Sequence, residues 1–259
     1  MDYSSLSVVH PNAKIGKDVV IGPFVTIDDN VEIGDGTVID SNAVIMSGAR
    51  IGKNCHIHSS AVVSGTPQDL KFKGEDSVAI IGDNTIIREF ATIHRGTASK
   101  GKTVVGSNCL IMAYCHVAHD CVVGDHVIMS NTVQIAGEVV VGDWAVLGGG
   151  ALIHQFTCIG QHVMLQGGSL VNKDLPPYIM AGRLPISYEG VNSVGMLRRG
   201  FTRDQVHHIQ DVYRMLYQSN LNISDALQRI TEEIPQTAER DSIVEFVRNS
   251  KRGVVRLGI

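Results

Sequence analysis

Residues 121–144 read CVVGDH VIMSNT VQIAGE VVVGDW, four hexads laid end to end. The third place of each holds a large aliphatic (Val123, Met129, Ile135, Val141), and the first holds a small or β-branched residue (Cys121, Val127, Val133, Val139). A period of six fits neither a 3.6-residue helix nor one flat strand. It fits a short strand, a corner and the next strand, wound as a coil. Followed outward, the frame runs from Val9 to Val171, and only Asp69, Glu75 and Ser99 interrupt its aliphatic residues. Corners are legible at Ile15-Gly16-Lys17-Asp18, Ile33-Gly34-Asp35-Gly36, Ile81-Gly82-Asp83-Asn84 and Val141-Gly142-Asp143-Trp144. Gly and Asn/Asp tolerate the positive φ of a tight bend.

The coil is uninterrupted to about residue 64, then makes an excursion near 65–79 and a second, shorter one at 96–102. Solenoids put insertions on one face, commonly the binding face. Asp174-Leu175-Pro176-Pro177 is a stop signal. Residues 178–191 read as a connector, after which the period becomes helical. Thr202-Arg-Asp-Gln205 is a capping box ahead of apolar Val206, Ile209, Val212, Tyr213 and Leu216. A second helix is expected to open at Ser224 and close at Pro235, and a third to open at Thr237. The predicted organisation is a mainly β, parallel β-helix of hexapeptide repeats over 1–190 and a small α-helical domain over 191–259. The tail would also protect the coil's open edge.

A net charge of −4 argues against a general nucleic-acid binder. The chain opens Met-Asp-Tyr-Ser-Ser without a signal-peptide pattern, and no apolar run approaches transmembrane length. A cytoplasmic chain is expected. Cys55, Cys109, Cys115 and Cys121 fall on the small-residue register and make no C-x-x-C pair, so they read as buried space-fillers.

At 18 residues per coil and ~4.8 Å between coils, His119 lies beneath Gly137, which lies beneath Gln155, and Asp120 lies beneath Glu138. An imidazole beside a bare peptide N–H is a minimal kit for acyl transfer. The base takes a proton from an attacking hydroxyl and the N–H holds the oxyanion. Spacing alone leaves open whether His119 is an ordinary surface residue. His10, His56, His58, His126 and His162 lack such an arrangement and are expected in solvent, as are His207 and His208 on the first helix. Zinc-binding hexad proteins of the gamma carbonic anhydrase type use two His five residues apart, and no pair here has that spacing. His116 and His119, three apart in an extended strand, are expected on opposite faces. No metal site is predicted. Arg198, Arg199 and Arg203 at the start of the helical tail would oppose a helix dipole, which points to an anionic partner.

Asp69-Leu-Lys71, Thr92-Ile-His-Arg-Gly96, His116-Val-Ala-His-Asp120, His154-Gln-Phe156, Pro176-Pro-Tyr178 and Leu197-Arg-Arg-Gly-Phe201 resemble the acyl-ACP–UDP-N-acetylglucosamine O-acyltransferases over nearly the whole chain. The resemblance implies a left-handed β-helix assembled as a homotrimer with active sites between subunits. It implies transfer of a 3-hydroxyacyl group from acyl carrier protein to the glucosamine 3-hydroxyl of UDP-N-acetylglucosamine, the first step of lipid A synthesis, without a cofactor. By the same resemblance His119 is the general base, Asp120 its orienting group and Gly137 the oxyanion donor. Gln68, Asp69, Lys71, His94, His116, His154 and Gln155 surround the sugar and phosphates. Asn192, Arg198 and Arg199 contact the nucleotide from a neighbouring subunit, and Gly167 sets acyl-chain length. Glu138 and Val194 depart from the family pattern, where members carry a His and an acidic residue. A related N-acyltransferase, a coenzyme A-dependent acetyltransferase and a trimeric scaffold are the competing readings.

Overall fold

In the computed structural model, which describes residues 2–258, the hexads wind around a three-sided prism. Each strand is short, usually two residues, and pairs in parallel with the strand one coil on. His116 faces Gln134 and Val122 faces Val140, both at an offset of 18. The three faces hold eleven, nine and eight strands. On the first face Val20–Ile21, Val38–Ile39 and His56–Ile57 follow one another; the second includes Thr26–Ile27 and His116–Val117, the third Val122–Val123 and Val140–Val141. Alternate residues of a strand point to opposite sides, so the frame aliphatics all face the axis. Ile39, Ile57, Ile87, Ile111, Met129, Ile135 and Leu147 have no solvent exposure. The register cysteines are interior too. Cys121 Sγ donates to the Ala136 carbonyl at 3.1 Å, and burial pushes its thiol up to about 12.

The corners differ from expectation in one respect. Positive φ falls on the sixth residue of the hexad, at Asp18, Asn84, Asp120, Glu138 and Trp144 among others. Gly16, Gly82 and Gly142 stand two residues earlier and answer another demand. A Cβ on Gly16 would lie 2.7 Å from Asp35 N, and one on Gly142 2.5 Å from Gln161 N. The next coil passes too close for a side chain. Where the left-handed corner residue is bulky, it stacks on its counterpart one coil away: His126 on Trp144 at 3.9 Å, Phe90 on Tyr114 at 5.0 Å.

Both excursions leave the prism at the edge between the second and third faces. Ala79 pairs with Ala49, an offset of 30, and Thr103 with Ala79, an offset of 24. Relative to 18 the insertions are therefore about two hexads and one hexad long. That is why the frame survives them in phase, and why Asp69, Glu75 and Ser99 are its polar members.

Beyond Val171 the coil is closed by an antiparallel pair, Ile179–Gly182 with Ser187–Val191, in the stretch read as a connector. Four helices follow: α1 (Ser193–Arg198), α2 (Arg203–Gln218), α3 (Ile223–Glu233) and α4 (Ala238–Asn249). Thr202 and Gln205 form the expected capping box, and Val206, Ile209, Val212, Tyr213 and Leu216 are buried. The cap of α3 is Asn222 rather than Ser224, its side chain accepting from Asp225 N. Tyr213 Oη donates to the Pro177 carbonyl at 2.5 Å, fastening the tail to the last coil.

Candidate active site

The turn from the second face to the third, Ala118-His119-Asp120-Cys121, builds the centre of the site. Asp120 takes the left-handed conformation (φ 60) and is fully buried. Its Oδ2 lies 2.9 Å from His119 Nδ1 and accepts from Thr97 Oγ1 at 2.6 Å; its Oδ1 accepts from Thr97 N at 3.0 Å and Lys100 N at 3.2 Å. Burial alone would raise the Asp120 carboxyl. Hydrogen bonds from Thr97 and His119 outweigh it and hold the group below its usual range. An ionised Asp120 favours the Nδ1–H tautomer of the ring, the tautomer whose Nε2 lone pair can accept a proton.

One coil on, Gly137 makes room for the ring. A Cβ there would lie 2.6 Å from His119 Cε1 and 2.7 Å from Nε2. Gly137 N–H makes no hydrogen bond among the described residues, whereas its neighbour Glu138 N donates to the His119 carbonyl at 3.0 Å. The rung read from the eighteen-residue period is therefore present: imidazole, open amide, and a cleft in front of both. That cleft encloses about 430 Å³ and includes Gln68, His94, His116, Gln134, Leu152 and Gln155 in its lining.

His116 and His119 line the same cleft, contrary to the expectation of opposite faces. The corner between them turns the chain, so the alternation of a single strand does not apply. His116 Nδ1 is 2.7 Å from Thr92 Oγ1, and its ring meets that of His94 edge-on at 4.7 Å. Burial, then the neighbouring His116 and His119, push His94 down to about 4; burial and His119 also lower His116. Both are neutral donors or acceptors at neutral pH.

The other expected residues stand further out. Asp69 and Lys71 form a turn in the first excursion, Lys71 N donating to Asp69 Oδ1 at 2.9 Å, with Leu70 fully exposed between them. His154 is exposed, Nδ1 3.0 Å from the Gln155 carbonyl. Gly167 is exposed at the edge between the first and second faces. Asn192 is buried and spent internally: Nδ2 donates to the His162 carbonyl at 2.9 Å, and Oδ1 caps α1 by accepting from Gly195 N at 3.1 Å. Arg198 lies in the last turn of α1, where positive charge is favourable, so the dipole conflict expected of it does not exist. Arg199 is held by this chain, 5.4 Å over Trp144, with Nη1 3.2 Å from His162 Nδ1. His162 is accordingly buried in an aromatic stack rather than in solvent.

Sequence reasoning missed the second excursion's part. Thr97 and Lys100 hold Asp120, Thr103 Oγ1 accepts from Asp120 N at 2.8 Å, and Ser99 Oγ donates to Glu138 Oε1 at 3.1 Å. The one available signal was the excursion's place beside His119's corner. Glu138 thus has a local use: it turns toward the loop, with Lys100 Nζ 3.8 Å from Oε2.

A three-sided prism wound from hexads, with His119 on one edge beside the open amide of Gly137, places the chain among the hexapeptide-repeat acyltransferases. A bacterial transferase hexapeptide profile matches residues 102–137, and the profile of UDP N-acetylglucosamine O-acyltransferase domain 2 matches residues 174–255. The chain is 58% identical to the acyl-[acyl-carrier-protein]–UDP-N-acetylglucosamine O-acyltransferase of Chlorobaculum parvum over 96% of its length and 97% of that protein's. It is 52% identical to that of Trichlorobacter lovleyi over 99% and 100%. The solved UDP-N-acetylglucosamine acyltransferase from Bacteroides fragilis superposes with a TM-score of 0.96 at 51% identity, covering 98% of this chain and 99% of that one. The chain belongs to the acyl-[acyl-carrier-protein]–UDP-N-acetylglucosamine O-acyltransferase family, and its coil is a left-handed parallel β-helix.

Proposed function

We propose that this enzyme moves a 3-hydroxyacyl chain from acyl carrier protein to the glucosamine 3-hydroxyl of UDP-N-acetylglucosamine, the first step of lipid A biosynthesis. The observation that carries the mechanism is the His119–Gly137 rung. His119 Nε2 removes the proton of the sugar hydroxyl as its oxygen attacks the thioester carbon. The Gly137 amide donates to the developing oxyanion, and Asp120 steadies the imidazolium through Nδ1. As the C–S bond breaks, the same proton passes to the thiolate. The ester forms with atoms and charge balanced and no redox partner, so the carrier-bound thioester is the only activated reagent.

Gln68, His94, His116 and Gln155 line the cleft and suit a sugar with its phosphates. Similarity to the family adds Asp69, Lys71, His154, Asn192, Arg198 and Arg199 to the nucleotide's surroundings, and assigns chain-length selection to Gly167. The small residue leaves room for a long chain along Leu152 and Leu170, both exposed on the second face. The homotrimer is supported by apolar side chains bare on this chain: Phe24, Phe90 and Tyr114 on one edge, with Val20, Ile86 and Met164 on the adjoining first face. Asn192, with both amide groups engaged, acts on the nucleotide by holding α1 and Arg199 in place. A cytoplasmic location accords with the carrier protein as donor, and no helix among the described residues is long and apolar enough to cross a membrane.

The test offers UDP-N-acetylglucosamine with a graded set of 3-hydroxyacyl carrier proteins and weighs the product. An O-acylated nucleotide sugar formed from the carrier-bound donor is expected. Acylation only from coenzyme A thioesters, or only of an amino sugar, would replace this reading with one of its rivals.

A further inference from the structure

The outward row of the first face is apolar with one break. Val20, Val38, His56, Ile86, Leu110, Ile128, Val146 and Met164 pair in that order. An imidazole in such a row gives up hydration without a packing gain. It has company, however. His58 lies two residues on and shares its side of the strand, and Asp40 stands one coil below His58. Asp40 Oδ2 is 3.0 Å from His56 Nε2 and 3.2 Å from His58 Nδ1, and all three ligand atoms lie within 4.8 Å of one another. The two rings stack at 3.9 Å with 21° between their planes, so both nitrogens are held toward the same oxygen.

We propose that Asp40, His56 and His58 bind one divalent transition-metal ion of the zinc class per chain. Two imidazoles and a carboxylate are a donor set suited to Zn²⁺. At metal–ligand distances of about 2.0–2.2 Å, tetrahedral neighbours lie roughly 3.3–3.6 Å apart, slightly more than the 3.0 and 3.2 Å that Asp40 keeps from the two rings, and the stacked rings turn apart to aim both lone pairs at the ion. Water or Glu89, whose Oε1 is 3.8 Å from His58 Nδ1, completes the shell. Arg88, the other charged group here, is occupied by Glu89 through two contacts of 3.0 Å. The ion bridges adjacent coils and clamps the N-terminal part of the prism. These residues lie on another edge from His119, and the inference stands apart from the catalytic reading.

The experiment titrates Zn²⁺ into chelator-treated full-length protein by calorimetry and Co²⁺ by visible absorption, for wild type, Asp40→Asn, His56→Asn and His58→Ala. One ion per chain is expected, with a Co²⁺ d–d band and a higher Tm when Zn²⁺ is present. Each substitution should weaken binding at least about tenfold, the effect of losing one ligand or its support. Circular dichroism identifies any variant that fails to fold, and the isosteric Asp40→Asn variant then decides. Unchanged affinity in the folded variants would place the ion elsewhere, at the His94–His116–His119 cleft for example, and overturn the proposal. So would a wild type that takes up no ion from micromolar Zn²⁺.

Discussion

Two edges of the prism are made by the same rule and used differently. At the edge joining the third face to the first, left-handed corner residues His126, Trp144, His162 and Tyr178 stack on one another, with Arg199 over Trp144. At the edge joining the second face to the third, the corner residues Asp120 and Glu138 are carboxylates beneath a loop inserted in whole hexads. One edge turns its corner residues into packing. The other buries a corner carboxylate under Thr97 and Lys100, and so obtains an oriented histidine. A solenoid can place chemistry wherever an insertion covers a corner and the next coil offers a glycine.

The largest effect of breaking this contrast is expected at the edge that carries His119. His119→Ala is expected to lower turnover by about 10²–10⁴-fold, the range for loss of a general base, with the fold retained by circular dichroism. A rate near wild type would erase the distinction between the edges. Gly137→Ala should cost about 10²-fold in kcat, since its methyl group pushes the imidazole out of line; steady-state kinetics with a circular dichroism control reads it.

At the stacked edge the losses fall on stability. Trp144→Ala removes the contacts to His126 and His162 and the seat of Arg199. A loss of about 2 kcal/mol in denaturant unfolding is expected, less than for a fully buried Trp because this one is partly exposed. The smallest effect compares the edges through pH. His162 is pushed down to about 4, by burial and then by Arg199, and His94 to about 4 by burial and its neighbouring histidines. Between 6.5 and about 4 the unfolded chain takes up protons that these folded histidines refuse. Their stability contribution is therefore full above that window and lost as pH falls through it. His162→Asn should flatten the fall of Tm with acid; an unchanged slope would contradict the buried neutral ring.

The period made the coil, its interior and the His119–Gly137 rung legible, because stacking by eighteen is arithmetic. It left the hand of the coil open, since a repeat of six has no chirality. Strand alternation misled at His116 and His119 because the strand ends at Val117 and His119 already lies in the turn, next to left-handed Asp120. The hairpin at Ile179–Val191 was hidden by its glycines and prolines. Arg198 was misread because six-residue α1 ends there, and a helix too short to show a period cannot announce its direction. Asp40 and His58, eighteen apart, were within reach of the same arithmetic that found the rung. Zinc spacing along one strand does not show them, because the pair is related up the coils.

The most direct test of the central geometry is the double variant His119→Ala, Gly137→Ala. The Gly137 amide survives in both single variants, and the three atoms nearest the added methyl all belong to the His119 imidazole. Once the ring is gone that clash is relieved, and the double variant should turn over within about threefold of His119→Ala alone, the signature of two residues working as one unit. Losses that multiply, making the double variant about 10²-fold slower than His119→Ala, would show that the two positions act separately and that the rung is not the site of proton removal.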